Sequence, residues 1–544
     1  MKVLKSFAII LLSVSIATPV FAGDKKGKIK LPSLNKSFVE VTGEFDGNRV
    51  RNDMENNGQI VSAFSGHSGM EWPKDNHTYS IYASSIWFAG KVNGEIRTAA
   101  GDYSSELMPG PWGSDPGAAA HKFYKVSKSD LADPLSSEDF QNWPAELGAP
   151  WVDVDGDGVY SPLPGGPDHP EFVGDQVMWY VANDGAPGTH GLFGTLPLGI
   201  EVQFTTFGFD RPDVFGDMMF VKGLAINKGG NTIEDMFIGL WSDPDMGDAG
   251  DDFVGCDTTL SLGFVWNDGV DSEYASYSGG TPAVGYDFFQ GPMVESAGDT
   301  ALFMGQKKPG YKNLPMSSFV KYINPDAVYF DPNDATEVYN YMLGLRADGT
   351  PFPLEVTGGS KFVHPGDPAS DTGPNDTEYV DSDVHASSDR RFVMNAGTFT
   401  MAPGDSQEVV FGIMHAAAGS AKKSVTYLRQ VDALAQLAYD IQFALPASPP
   451  APTVTATTFP EEIIFTWDDA SESYYIEDVI DKVPVASAFD TTFGTGYFSA
   501  GELAGLLDGY TVLDTSYADA DSSVIYTVQY VAAIDTSFLG ENTF

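Results

Sequence analysis

Six aspartates, Asp243, Asp245, Asp248, Asp251, Asp252 and Asp257, stand within fifteen residues, with glycines among them and no lysine or arginine in the segment. Carboxylates folded that close repel one another unless something positive sits among them. A hard cation that accepts about six to eight oxygen ligands in flexible geometry answers the need, and calcium is that cation. A second set, Asp153, Asp155 and Asp157, alternates with Val154 and Gly156 and leads into Gly158 and Val159. That order matches the first half of a calcium loop, with side chains at positions 1, 3 and 5, a turn glycine at 6 and the Val159 carbonyl at 7. The position-12 glutamate of an EF-hand is replaced by Pro164 and no helix signal flanks the run, so the expectation is a different loop, closed by Asp168 or Glu171. The competing reading of both segments is an aspartate-rich loop whose side chains cap its own turns.

Other chemistries find less support. The eight histidines show no HExxH and no paired spacing, which disfavours zinc. Gly66-His-Ser68-Gly69 misses a nucleophile elbow by one position, and Ser420-Ala-Lys-Lys423 fits S-x-x-K without its partner motifs. No phosphate-binding or dinucleotide fingerprint is present. A glycosidase needs only two carboxylates across a cleft, and 75 acids leave such a pair neither supported nor excluded. Trp72, Trp112, Trp143 and Trp151 lie near proline and glycine, where stacking on sugars competes with ordinary core packing. The single cysteine, Cys256, lies inside the acidic loop, where neighbouring carboxylates oppose a reactive thiolate, so it reads as structural.

The elements that must hold these loops are mostly strands. Gly 58, Pro 35 and only 19% charged residues suit many short strands joined by turns. The runs 78–88, 176–182, 218–227 and 232–241 read as strands, and the Lys228-Gly-Gly-Asn231 turn between the last two predicts a hairpin. The segments 391–401 and 407–414 read as two further strands around a Pro403-Gly-Asp405 turn. One helix is expected, capped by Ser424 and buried through Val425, Leu428, Val431, Leu434, Leu437, Ala438 and Ile441.

The N-terminus carries Lys2 and Lys5, a short apolar run to Ile16 and a small-residue site at Ala22, which together read as a secretory signal peptide over 1–22. No later apolar run reaches the ~20 residues of a membrane-spanning helix. The net charge of −45 repels nucleic acid and attracts cations. After a β-rich body over 23–445, possible in two subdomains split near 190–215, comes a proline-rich linker over 446–453 and a last module over 454–544.

Three segments, 151–184, 239–257 and 389–405, together resemble a group of large secreted bacterial proteins, often exported by type IX secretion, that commonly carry fibronectin type III modules. The last module resembles a fibronectin type III domain, Trp467 fitting its core strand-B tryptophan and Tyr526 its strand-F tyrosine. The resemblance implies secretion and architecture, and it brings no catalytic residues. Such proteins usually end in a sorting domain that is not seen before Phe544, which leaves a truncated product or another export route.

The expected fold is therefore mainly β: a large β-sandwich-type body with one C-terminal helix, followed by a fibronectin type III-like sandwich. The expected function is that of an exported, calcium-stabilised extracellular or cell-surface protein with a structural, adhesive or binding role toward surface proteins or polysaccharide. The alternative is a secreted polysaccharide-active hydrolase.

Overall fold

The computed structural model describes residues 42–64, 66–267, 269–323, 326, 328–377, 387–445, 452–458 and 463–468, and the backbone of strands 510–517 and 524–530. The signal peptide expected at 1–22, most of the linker and most of the last module lie outside the described residues. The chain divides into two compact units, Met1–Phe443 and Ala444–Phe544.

The first unit is built on eleven principal strands and two helices. They are β1 (Ala83–Val92), β2 (Gln176–Asn183), β3 (Ile200–Gly208), β4 (Met218–Asn227), β5 (Ile233–Asp243), β6 (Asp252–Asp257), β7 (Leu262–Asn267), β8 (Ala283–Gln290), β9 (Ser318–Tyr322), α1 (Ala335–Met342), β10 (Arg391–Met401), β11 (Ser406–Ala416) and α2 (Ala421–Asp440). One antiparallel sheet runs β9–β10–β5–β1 and continues into short strands between Arg51 and Ile81. The other runs β6–β7–β8–β11–β4–β3–β2. Their inner faces meet in a shared core: a Cβ on Gly223 of β4 would sit 3.9 Å from Ile86 of β1. Ser242 Oγ of β5 lies 2.6 Å from the Tyr286 hydroxyl of β8. Near-continuous apolar strands such as Gln176–Asn183, buried at all eight positions, are what a strand covered on both faces requires.

The hairpin expected at 218–241 is not formed. β4 and β5 exist with nearly the expected bounds, but they belong to opposite sheets. β4 is already paired on both edges by β3 and β11, and β5 by β10 and β1. The Gly-Gly turn is thus a crossing from sheet to sheet, and the turn from β10 to β11 crosses beside it. Asn227 ties the two: its Nδ2 donates to the Asn231 and Met401 carbonyls at 2.9 and 3.0 Å. Its backbone exchanges hydrogen bonds with Gly404 and Asp405.

The division expected near 190–215 is also not found, because β3 lies within that stretch and pairs residue for residue with β2 from Gln176↔Gly208 to Asn183↔Glu201. The expectation of one helix needs correcting too, since α1 is a second. α2 begins at Ala421 with Ser420 at its N-cap, not at Ser424. Ser424 instead donates from Oγ to the Thr281 carbonyl, 2.8 Å away, and pins the first turn to the sheet. Leu434 and Leu437 are exposed, whereas Asp432 is buried in the seam.

In the second unit two antiparallel pairs are described, Val454–Thr458 with Ile463–Trp467 and Tyr510–Tyr517 with Val524–Tyr530. Trp467 is 64% exposed. Among the described residues no helix is long and apolar enough to cross a membrane.

Candidate metal centres

The first acidic loop hangs from a two-rung ribbon in which Trp151–Val152 pairs with His169–Pro170. Inside it, Asp153 receives the N–H groups of Gly156 and Gly158 on its two oxygens, at 2.7 and 3.0 Å. Asp157 accepts from the N–H of Val159 at 2.7 Å. Gly156 and Gly158 hold φ of 78° and 75°, left-handed values that glycine takes without steric cost. Asp168 joins both ends of the loop: Oδ1 accepts from Val154 N–H and Oδ2 from Ser161 N–H, each at 2.9 Å. Being set among other atoms would push the Asp168 carboxyl up, but these N–H donors outweigh that and hold it below the ordinary carboxylate range. One oxygen from each of Asp153, Asp155, Asp157 and Asp168 lies within 4.8 Å of the others. The first three are exposed and Asp168 is buried. Val159 stands in the same turn, whereas Glu171, the other candidate to close the loop, is outside the group. Tyr160, edge-on to Trp151 at 5.6 Å, donates to the Phe140 carbonyl at 2.6 Å and fixes the loop to the body.

The second acidic segment is dispersed by the fold. Asp243 ends β5 and Asp245 follows with φ of 28°. Asp389, just before β10, brings a third oxygen within 4.8 Å of theirs. β10 also delivers Arg391, because Ser242 pairs with Phe392 in the β5–β10 register. Arg391 Nε stands 3.4 Å from Asp243 Oδ1, and Nη1 stands 3.2 Å from Asp389 Oδ1. The Tyr103 hydroxyl donates to Asp243 Oδ2 at 2.5 Å and accepts from Arg391 Nε at 2.8 Å. Burial, then the charge of Asp245, pushes the Asp243 carboxyl well above its ordinary range. Burial, then Asp389, pushes Asp245 up to about 7.

The remaining aspartates of the segment serve other partners. Asp248 Oδ1 accepts from Gly250 N–H at 2.9 Å. Asn267 Nδ2 donates to both Asp251 and Asp252, and Asp252 also accepts from Met246 N–H. Asp252 is fully buried, which drives its carboxyl well above the ordinary range. Asp257 Oδ2 accepts from Arg429 Nε of α2 at 3.0 Å. Cys256 is buried, and burial followed by the Asp257 charge pushes its thiol up, as a structural cysteine requires.

The sequence reading missed Asp389 and Arg391, which arrive with the start of β10. The signal that pointed to them was the Asp389-Arg-Arg391 run ahead of a strand, legible only with the β5–β10 pairing in hand.

The second sheet also carries a cleft of about 250 Å³ on its outer face. Its rings and amides are already committed: Trp179 and Tyr439 are 1% and 8% exposed, and Tyr439 donates to Gln290, which donates to Glu408. It therefore offers no bare aromatic platform for a sugar. No protein-family model matches the chain, and no curated protein is similar to it.

Proposed function

We propose that this chain is an exported extracellular or cell-surface protein whose acidic loops bind calcium, with a structural, adhesive or binding role toward surface proteins or polysaccharide. The observation that carries the reading is the convergence of Asp153, Asp155, Asp157 and Asp168, four carboxylates within 4.8 Å of one another. No lysine or arginine pairs with any of the four among the described residues. Four charges at that spacing favour a hard divalent cation, and oxygen-only ligands in a glycine-rich turn suit calcium. The Asp243–Asp245–Asp389 group, with Arg391 supplying only part of the neutralising charge, is a second place for a cation. The secretory reading of residues 1–22 and the resemblance to secreted proteins with a fibronectin type III module support the location, and residues 454–544 are that module in this reading.

The test is thermal melting of the exported chain in excess chelator and in excess calcium, with metal analysis of the purified protein. A ligand bound only by the folded state adds about 2.7 kcal/mol at a hundredfold excess over its dissociation constant. The expected result is a raised midpoint that Asp155→Ala diminishes. A metal-free protein whose midpoint ignores calcium would sink the proposal. The rival hydrolase reading rests on Asp245, a carboxyl pushed up to about 7 beside Asp389 and so able to act as a proton donor near neutrality. It requires polysaccharide cleavage that Asp245→Asn abolishes.

A further inference from the structure

Asp287 and Asp432 are 0% and 1% exposed, and they face each other between the second sheet and α2. The facing follows from geometry. A Cβ on Gly285 of β8 would lie 3.0 Å from Leu428 of α2, so that face of β8 is the one α2 covers. Asp287, two residues on, shares the face, and Asp432 is one helical turn past Leu428. The Asp432 charge, after burial, raises the Asp287 carboxyl across the seam. Neither Asp287 oxygen nor Asp432 Oδ1 has a hydrogen-bond donor among the described residues. Two ionised carboxylates cannot face each other in such a seam, whereas one proton between them turns a repulsion into a hydrogen bond.

We propose that Asp287 and Asp432 form a proton-sharing latch that seats α2 on the second sheet and loosens as the solution becomes more alkaline. The surrounding charges do not relieve the pair. Asp257, on β6, adds a further negative charge near Asp432. Arg429, on α2, is engaged by Asp257 at 3.0 Å and by Asp367 at 2.8 Å. Glu408, on β11, accepts from Gln290, and the Tyr439 hydroxyl donates to Gln290. Burial pushes Asp287 well above the ordinary carboxylate range and Asp432 up to about 7. A carboxyl raised in the folded state contributes stability that is full below its unfolded value and lost as pH rises through the folded one. The seam therefore weakens from the acidic range up past about 7.

The experiment is hydrogen exchange over residues 421–440 of the full chain, as a pH series crossing about 7, in excess calcium and again in chelator. Wild-type protection of α2 should fall with rising pH by up to about tenfold per pH unit. Asp432→Asn, which supplies an amide donor to Asp287, should flatten that slope and leave α2 better protected than wild type on the alkaline side. Asp287→Asn gives the same comparison should the first variant fold poorly. A wild-type slope absent, or unchanged in the variants, overturns the latch. So does a slope that calcium alone removes, which would assign a cation to the pair. Infrared spectra give a stability-independent reading: a protonated-carboxyl band at neutral pH in wild type, diminished in Asp432→Asn, is expected, and its absence overturns the proposal.

Discussion

The two acidic centres use the same residue type and solve the same repulsion differently. The 153–168 loop is local: its four carboxylates come from sixteen consecutive residues, three of them exposed. The 243–389 centre is assembled by strand pairing, buries Asp243, and imports Arg391 with Tyr103 as a bridge. An exposed loop can leave its charge to solvent and, in the proposed function, to a cation. A buried centre cannot wait for one, because a lone carboxylate in low dielectric costs several kcal/mol. The difference teaches that clustered aspartates in a sequence do not by themselves say where the counter-charge comes from.

The sharpest way to break the comparison is Arg391→Ala. Removing one partner of a buried pair leaves an uncompensated charge and costs about 3–5 kcal/mol. The midpoint in denaturant should drop accordingly at neutral pH, and calcium should recover part of the loss by entering the Asp243–Asp245–Asp389 group. A change below about 1 kcal/mol, the value of an exposed pair, would mean that the buried centre is no more constrained than the loop.

Next in size is the calcium response of the loop. Asp155→Asn removes an exposed carboxylate of the proposed site and should lower the affinity seen in the melting shift while leaving the calcium-free midpoint nearly unchanged. Asp168→Asn should lower the calcium-free midpoint as well, because its carboxylate also accepts the loop-end N–H groups of Val154 and Ser161. Equal effects of the two variants in chelator would erase the distinction between an exposed ligand and the residue that closes the loop.

How much of this was legible from residue order follows from how local each feature is. The 153–168 carboxylates lie close together in the chain, and the alternation of Asp with Gly signals their turn, so the grouping of Asp153, Asp155, Asp157 and Asp168 was legible. Asp389 and Arg391 could not, since only the β5–β10 register places them beside Asp243. Strand runs such as Met218–Asn227 were visible for the same local reason, but their partners were not. A strand buried on both faces has one apolar pattern whichever sheet receives it, and a Gly-Gly turn serves a hairpin or a crossing equally. α2 was recognisable from its 3.6-residue period, yet the period alone placed Leu434 and Leu437 inside and passed over Asp432. A buried carboxyl is an exception that only its partner, here Asp287, explains.

A smaller effect separates the centres by pH. Asp245 is raised to about 7 in the folded protein, so it contributes stability below the unfolded carboxylate range that is lost as pH rises through about 7. Asp168 is held low, so its contribution is present at neutral pH and lost on acidification. In chelator, wild type should drift down in stability toward alkaline pH, and Asp245→Asn should remove part of that drift. Because Asp245 is only half-buried, solvent screens the effect and keeps it below that of Arg391→Ala. Saturating calcium should flatten the same limb, and a limb indifferent to both calcium and Asp245→Asn would assign the drift to other groups.

The smallest expected change, and the one that tests the bridge itself, is Tyr103→Phe. The hydroxyl donates to Asp243 and accepts from Arg391, but half of the Tyr103 side chain faces solvent, so water can take over either bond. The loss should be about 1 kcal/mol in denaturant unfolding. With the hydroxyl gone, Arg391 has one contact fewer to hold its fork against Asp243 and Asp389, and calcium should compete with it more effectively. Tyr103→Phe should therefore raise the calcium response of this centre while leaving that of the 153–168 loop, read in an Asp245→Asn background, unchanged. If calcium binding instead weakens, the hydroxyl belongs among the ligands, and the arginine and the metal occupy the centre together.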